Sequence, residues 1–201
     1  MDDIAKRQSE ILDHPPRIGP LDPEVITDAQ KQTVLELWKA VGIPPKDDLP
    51  EFFATMLRHP ALMIAQTAYA TQLLKSELTP RHRQLAICRI GWLCQAPFEW
   101  SQHLKNGKAL AGVTDADAER LTIGSDADGW DDEGQLIVLA VEEMYRNAMI
   151  CDDTWAKLES FLNEKQLLEL PLLVGYYQSV AYLQNSLRCR LMPGSQGLYA
   201  R

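Results

Sequence analysis

The stretch from Thr79 to Gly112 is the part of the sequence that most constrains the fold. Thr79-Pro80 is a strong helix start, because a capping hydroxyl is followed by proline at the first helical position. The residues that follow, through Gln95, are apolar on nearly every side of a helix, which predicts a buried helix. Pro97 interrupts this pattern, so we expect a kink or a break and restart before a second helix that runs to Gly112.

Helix signals also dominate the rest of the chain, with almost no pattern typical of strands. Residues 1–26 contain four prolines and little periodicity, which predicts an extended N-terminal arm before a helical domain over residues 27–201. The fold class is therefore all-α. Residues 83–104 and 167–187 share an apolar pattern, so two related helical halves are an alternative architecture. The further helices are predicted from Thr27 or Asp28 to about Val41, from Pro50 to Leu57, from Pro60 onwards, from Thr114 to near Gly124, from Gln135 to Ala148, from Asp153 or Thr154 onwards, and from Asn163 with an interruption at Pro171.

Composition and charge exclude several classes of function. The 201 residues are 46% hydrophobic, enough for a proper core, and their formal net charge of −8 opposes binding to a phosphate backbone. No apolar run approaches the ~20 residues needed to cross a bilayer, and the charged N-terminus differs from a signal peptide. The four cysteines form no C-x-x-C pair. We therefore expect a cytoplasmic protein without a nucleic-acid or membrane partner.

Glu99 and His103 form the arrangement best suited to chemistry. They are four residues apart, so on one helix their side chains share a face. Steps of three and four residues back along that face reach Gln95, Cys88 and Gln84, which predicts a polar stripe on an otherwise apolar helix. A buried carboxylate beside an imidazole is expected to raise the pKa of the histidine and to fix its tautomer. Such a pair can transfer protons.

Other interpretations of these residues remain open. A Glu/His pair at helical spacing is also typical of a surface salt bridge or a satisfied interior pair. It supplies two metal ligands, and no second spaced pair is evident, so we expect neither a metal nor another cofactor. Cys88 and Cys94 face different sides of a helix and are typical of small core residues. The aromatic residues are more typical of core or subunit contacts than of a cofactor site; they are Trp92, Trp100, Tyr176, Tyr177 and Tyr182.

Residues 78–121 resemble the core motif of the carboxymuconolactone decarboxylase/AhpD-like superfamily. The resemblance lies in a proline- and arginine-flanked opening, a run similar to R-E-L-A-I-L-R, an apolar helix, F-E-W-x-x-H at 98–103 and A-x-x-G-V-T at 109–114. Residues 152–187 are similar to the C-terminal half of the longer members. The resemblance implies an AhpD-like helical bundle that forms a homo-oligomer, with its site near a subunit contact.

Two departures from the family pattern affect the expected chemistry. Members with peroxidase activity resemble C-x-x-C-x-x-x-H, but the two cysteine positions are Ala96 and Glu99 in this chain, which argues against disulfide-based peroxide reduction through that motif. The decarboxylase branch carries E-x-x-x-H, which is retained as Glu99 and His103. Gln84 stands where the family usually has glutamate. An amide cannot exchange protons, but it can still form hydrogen bonds.

The resemblance implies a cofactor-free lyase that acts on a small carboxylated lactone or ring-fission product. Loss of carbon dioxide leaves an anion, which the site must stabilise and protonate. We expect His103 to donate the proton and Glu99 to orient it, while an arginine holds the substrate carboxylate. The candidate substrate-binding residues are Arg81, Arg83, Arg89, Gln84, Gln95 and Trp100.

Three alternative functions fit the same sequence. The first is a non-catalytic or stress-related helical oligomer in which the Glu99–His103 pair is structural. The second is a hydrolase or isomerase that uses the same pair, since one fold hosts several chemistries. The third is a thiol-dependent antioxidant protein acting through Cys88 or Cys94, the cysteines nearest to the pair in sequence.

Overall fold

A computed structural model describes residues 3–40 and 49–201, and every long element within these ranges is an α-helix. The all-α prediction is therefore confirmed for the described residues. The helix predicted from Thr27 or Asp28 has its expected end, Val41, outside the described residues. The helices are α1 (Asp3–Leu12), α2 (Asp28–Ala40), α3 (Glu51–Met56), α4 (Pro60–Leu74), α5 (Pro80–Leu93), α6 (Pro97–Leu110), α7 (Asp115–Ile123), α8 (Asp132–Asn147), α9 (Asp152–Leu158) and α10 (Glu164–Leu187).

Side-chain caps explain where the helices around the site begin. The Thr79 hydroxyl accepts a hydrogen bond from the backbone N–H of His82 at 3.1 Å, which caps α5 as predicted. A reciprocal capping box between Thr114 and Asp117 starts α7. Helix α8 begins at Asp132, three residues earlier than predicted, because the Asp131 carboxylate caps it.

Helix α5 is central and packs against α6, α8 and α10. Leu85, Ala86, Cys88 and Ile90 on this helix have no exposed surface, which confirms the predicted burial on nearly all sides. Burying a large apolar side chain contributes roughly 1.5–3 kcal/mol, so this helix supplies much of the stability of the main core. A smaller core lies between α2, α3 and α4.

Helices α5 and α6 form an antiparallel hairpin. Gln95, in the turn, has a positive φ of 46°, and the Ala96 N–H donates to the Gly91 carbonyl at 3.0 Å. Pro97 is at the first helical position of α6, so the predicted break and restart is confirmed. The two helices pack together at Gly91, where an added Cβ would lie at an ordinary contact distance of 3.5 Å from the Trp100 nitrogen. Because the chain reverses in this turn, Gln84 of α5 lies against His103 of α6, and the polar residues of the predicted stripe are divided between two helices.

Helix α10 runs without a break through Pro171, so the predicted interruption is wrong. Burial of Leu167, Leu170, Leu173 and Val174 on this helix outweighs the ~3 kcal/mol cost of an interior proline. The alternative of two related helical halves is also wrong. Residues 83–104 form a hairpin of two helices, whereas residues 167–187 lie in one continuous helix. None of the helices in the described ranges has the length and apolar character needed to cross a membrane.

The N-terminal arm is partly helical. Residues 3–12 form α1, so the predicted extended conformation is wrong for this stretch. Ile4 and Ile11 are seven residues apart and therefore share a face, which packs toward the body of the same chain. Beyond α1, the Arg17 N–H donates to the Leu187 carbonyl at 3.0 Å. The arm therefore lies along the end of α10.

Candidate functional site

Glu99 and His103 lie on successive turns of α6, and their partners come from α5 and α10. His103 Nε2 is 3.2 Å from Glu99 Oε1, and His103 Nδ1 is 3.2 Å from Gln84 Oε1 on α5. Glu99 is only 2% exposed, whereas the side chain of His103 is 15% exposed. The hairpin thus brings the two predicted catalytic residues and Gln84 together, with the histidine nearer to solvent than the carboxyl group.

The environment makes both members of the pair neutral near pH 7. Burial raises the pKa of Glu99 to about 8, and a hydrogen bond with the Gln184 side chain offsets part of this effect. Burial, together with the nearby guanidinium of Arg83, lowers the pKa of His103 to about 4. The expectation that Glu99 raises the pKa of His103 is therefore wrong, because a protonated carboxyl group offers the imidazole no negative charge.

The hydrogen bonds fix the tautomer of His103. The carbonyl oxygen of the Gln84 amide can only accept, so His103 Nδ1 carries the proton and Nε2 is the basic nitrogen that faces Glu99. Glu99 Oε1 is buried and forms no well-aligned hydrogen bond, although His103 Nε2 is 3.2 Å away.

Helix α10 adds residues to this site that the sequence did not assign to it. The Tyr177 ring meets the His103 ring edge-on, with centroids 4.8 Å apart, and Tyr176 packs edge-on against Tyr177 at 5.1 Å. Gln184 is 3% exposed, and its buried Oε1 has no partner among the described residues. Tyr177 and Gln184 are seven residues apart, so they share a face of α10. A glutamine on a buried helical face is the signal that could have identified this residue.

Only one of the three predicted substrate-binding arginines lies beside the pair in the described part of the chain. Arg81 binds the carboxylate of Asp117 at 2.6 Å and that of Asp131 at 2.9 Å. Arg89 is 4% exposed and pairs with Glu142 at 2.7 Å. Their guanidinium groups therefore connect α5 to neighbouring elements, which replaces the predicted substrate role with a structural one.

Arg83 differs from the other two arginines. It has no ion pair with any described residue, and its Nε is buried without a hydrogen-bond partner. Its positive charge adds to the effect of burial in lowering the pKa of His103, and it offsets part of the rise that burial causes in the pKa of Tyr177. Arg83 is thus the cation that the fold places next to the acid–base pair.

Two further candidates from the sequence, Gln95 and Trp100, have no hydrogen bond to Glu99 or His103 among the contacts of the described residues. Gln95 is exposed in the turn between α5 and α6, where its carbonyl accepts from Arg7 Nε at 3.2 Å. Trp100 has no exposed surface, packs against Trp92 in a tilted arrangement with centroids 4.9 Å apart, and donates its indole N–H to the Ala200 carbonyl at 3.1 Å. Both residues make structural contacts within the chain, and their role in substrate binding stays a prediction.

The cysteines nearest to the pair are poorly suited to thiol chemistry. Cys88 and Cys94 are free and buried. Burial raises the pKa of both thiols, that of Cys94 to about 11, so the reactive thiolate is disfavoured at neutral pH. Among the residues that the structure describes, no group of three or more His, Cys, Asp or Glu side chains could hold a metal ion.

A mostly apolar cleft of about 600 Å³ lies between α4 and α10, beside the aromatic residues of the site. Its walls include Leu62, Tyr69 and Leu172, and Gly175 leaves open space where another residue would place a Cβ. Tyr176 lines the cleft and also packs on Tyr177, which contacts His103. Two tyrosines therefore stand between this cleft and the acid–base pair.

Comparison with solved structures supports the fold expected from the sequence. The chain is similar to an uncharacterized peroxidase-related protein with an alkylhydroperoxidase AhpD core from Ralstonia eutropha JMP134, with TM-score 0.67, 16% identity, and coverage of 90% of this chain and 94% of that chain. It is also similar to a protein of unknown function from Agrobacterium tumefaciens, provisionally described as an antioxidant defence protein AhpD, with TM-score 0.63, 14% identity, and coverage of 68% of this chain and 94% of that chain. No protein-family model and no curated protein matches the chain. The fold is that of AhpD-like proteins.

Proposed function

We propose that this chain is a cofactor-free lyase that acts on a small carboxylated lactone or ring-fission product by proton transfer through Glu99 and His103. The observation that carries the proposal is the buried carboxyl group of Glu99, 3.2 Å from the neutral imidazole of His103. A carboxyl group that retains its proton near pH 7 is a store of one proton in a site shielded from water.

The geometry favours a relay in which His103 takes one proton as it gives another. Glu99 transfers its proton to His103 Nε2, while His103 Nδ1–H passes its proton to the substrate. The imidazole stays neutral and changes tautomer, and Glu99 becomes a carboxylate. The Gln84 carbonyl oxygen, 3.2 Å from Nδ1, occupies the position that the proton-accepting atom of the substrate would take. Gln84 must therefore rotate aside when the substrate binds.

Arg83 is the group best placed to hold the carboxylate of the substrate. It has no ion pair with a described residue and it lies near His103. On decarboxylation the bond between the carboxyl carbon and its neighbour breaks, carbon dioxide leaves, and the electron pair stays on the substrate as a dienolate. The nearby guanidinium stabilises this anion until His103 protonates the carbon.

Two assays separate proton transfer from decarboxylation. A panel of small lactone carboxylates and ring-fission dicarboxylates is incubated with the protein in D₂O. NMR then measures deuterium incorporated at carbon, which reports protonation of the dienolate, and labelled carbon dioxide is collected from the same samples. We expect both signals with the wild-type chain. Exchange without release of carbon dioxide would favour the isomerase alternative.

Variants test the assignment of the residues. We expect His103→Ala and Glu99→Gln to abolish both signals while circular dichroism and assembly state stay unchanged. Glu164→Gln, which alters an exposed carboxylate at the start of α10, is the matched control and should retain full activity. Normal turnover by folded His103→Ala would contradict the proposal. An inactive wild-type chain across the whole panel would favour the non-catalytic oligomer.

A further inference from the structure

A second cleft, of about 440 Å³, lies between the N-terminal arm and the C-terminal end of α10. Three arginines line it, namely Arg7, Arg17 and Arg188, with Glu10 as the acidic member of the lining. These four side chains carry a net charge of +2. His14 also lines the cleft and is not included in this sum. This concentration of positive charge contrasts with the net charge of −8 of the whole chain.

Basic residues often gather at the end of a helix, because the last four carbonyl groups need donors. At α10 these carbonyls are already satisfied. Backbone N–H groups of residues 188 and 189 donate to the carbonyls of Asn185 and Gln184, while Arg17 donates to Leu187 and Ser186 through its backbone and side chain. Capping of α10 therefore accounts for Arg17 and leaves Arg188 unexplained.

The guanidinium of Arg188 has no ion pair or hydrogen bond with a described residue, although the residue is only partly exposed. Arg7 is partly neutralised by Glu10 at 3.2 Å. Arg188 has a left-handed backbone, with φ of 57°. A position at the end of a helix with this conformation favours glycine or asparagine, so an arginine there costs some stability.

We propose that this cleft binds a small oxyanion with two negative charges, either a phosphate group or a dicarboxylate. The planar guanidinium group matches both chemistries, because it can donate two parallel hydrogen bonds to a pair of oxygens. Arg188 and Arg17 supply the charge, and His14 adds a hydrogen-bonding group at the rim. This site is separate from the Glu99–His103 pair and does not depend on the function proposed for that pair.

Calorimetric titration of the full chain in a low-salt, phosphate-free buffer tests the site, with inorganic phosphate and succinate as the two probes. The key variant is Arg188→Asn, because asparagine tolerates the left-handed conformation while the charge is lost. Arg190→Asn is the matched control. It removes the same charge two residues further on, from an arginine that pairs with Glu51 and lies outside the lining of the cleft.

We expect saturable binding of at least one probe, weakened about 10- to 100-fold by Arg188→Asn and less than about twofold by Arg190→Asn. Preference for phosphate would identify a phosphorylated ligand, and preference for succinate a dicarboxylate. Absence of saturable binding by either probe, or equal weakening in both variants, would overturn the proposal. Should Arg188→Asn fail to fold, Arg188→Gln removes the same charge and carries the same test.

Discussion

Replacing Glu99 with glutamine should change how the stability of the chain depends on pH. In the folded chain the pKa of Glu99 is about 8, against an ordinary 4.5, so between these values the folded state keeps a proton that the unfolded state has released. Stability therefore falls as pH rises through this range. His103 has the opposite effect up to pH 6.5, because its folded pKa of about 4 lies below its ordinary 6.5.

The two effects cancel from about pH 4.5 to 6.5, and above that range only Glu99 contributes. The interval from pH 6.5 to the folded pKa of about 8 spans roughly 1.5 pH units, and each unit is equivalent to about 1.36 kcal/mol. The free energy of unfolding of the wild-type chain should therefore fall by about 2 kcal/mol over this interval. This is a large part of a typical free energy of unfolding of about 5–15 kcal/mol. Glu99→Gln has no proton to lose, so this loss should be absent from the variant.

Urea unfolding of the wild-type chain and Glu99→Gln at pH 6.5 and at about pH 9 measures the effect. Both proteins are kept at one concentration, because any assembly would also shift the apparent stability. All other titrating groups are shared, so the difference between the two proteins isolates Glu99. A difference that stays constant with pH would mean that Glu99 is already ionised at pH 6.5, and would refute the neutral-pair argument.

Three further predictions concern the surroundings of the site. Glu142→Gln should lower the free energy of unfolding by about 3–5 kcal/mol, because the buried guanidinium of Arg89 loses the carboxylate that lies 2.7 Å from it. A loss below about 1 kcal/mol in urea unfolding would contradict this. Gln84→Glu should raise the pKa of His103 above its present value of about 4, as followed by NMR titration of the imidazole, and an unchanged pKa would count against the Nδ1 contact. Cys94 should react with iodoacetamide at neutral pH far more slowly in the folded than in the urea-unfolded chain, whereas equal rates would argue against its buried thiol.

Much of the helical framework could be predicted because its signals are local. The Thr79 cap, the Thr114 capping box and the break before Pro97 each depend on residues within one helical turn. The error at Pro171 has a different origin. Whether a helix continues through a proline depends on how much apolar surface its two sides bury against other helices, and the local sequence does not contain that information.

The site was predicted only in part, because its remaining features depend on distant segments. The Glu99–His103 spacing identified the pair, but the direction of the His103 pKa shift depends on burial by α10 and on Arg83 from α5. Arg81 and Arg89 were equally good candidates until Asp117 and Glu142, more than 30 residues away, were seen to bind them. Spacing within one helix cannot distinguish a substrate-binding arginine from a structural one.

The glutamine at position 84 is consistent with a site built to hold a single exchangeable proton. A glutamate there would place a second carboxyl group against His103, and two buried carboxyl groups beside one imidazole would compete for protons. With Gln84, the amide fixes Nδ1–H by accepting, and Glu99 alone supplies the proton on the Nε2 side. The proposed relay then has one direction, from the buried carboxyl group of Glu99 through the imidazole to Nδ1. The proposed lyase returns one proton to a dienolate in each turnover, so it needs no second carboxyl group in this position.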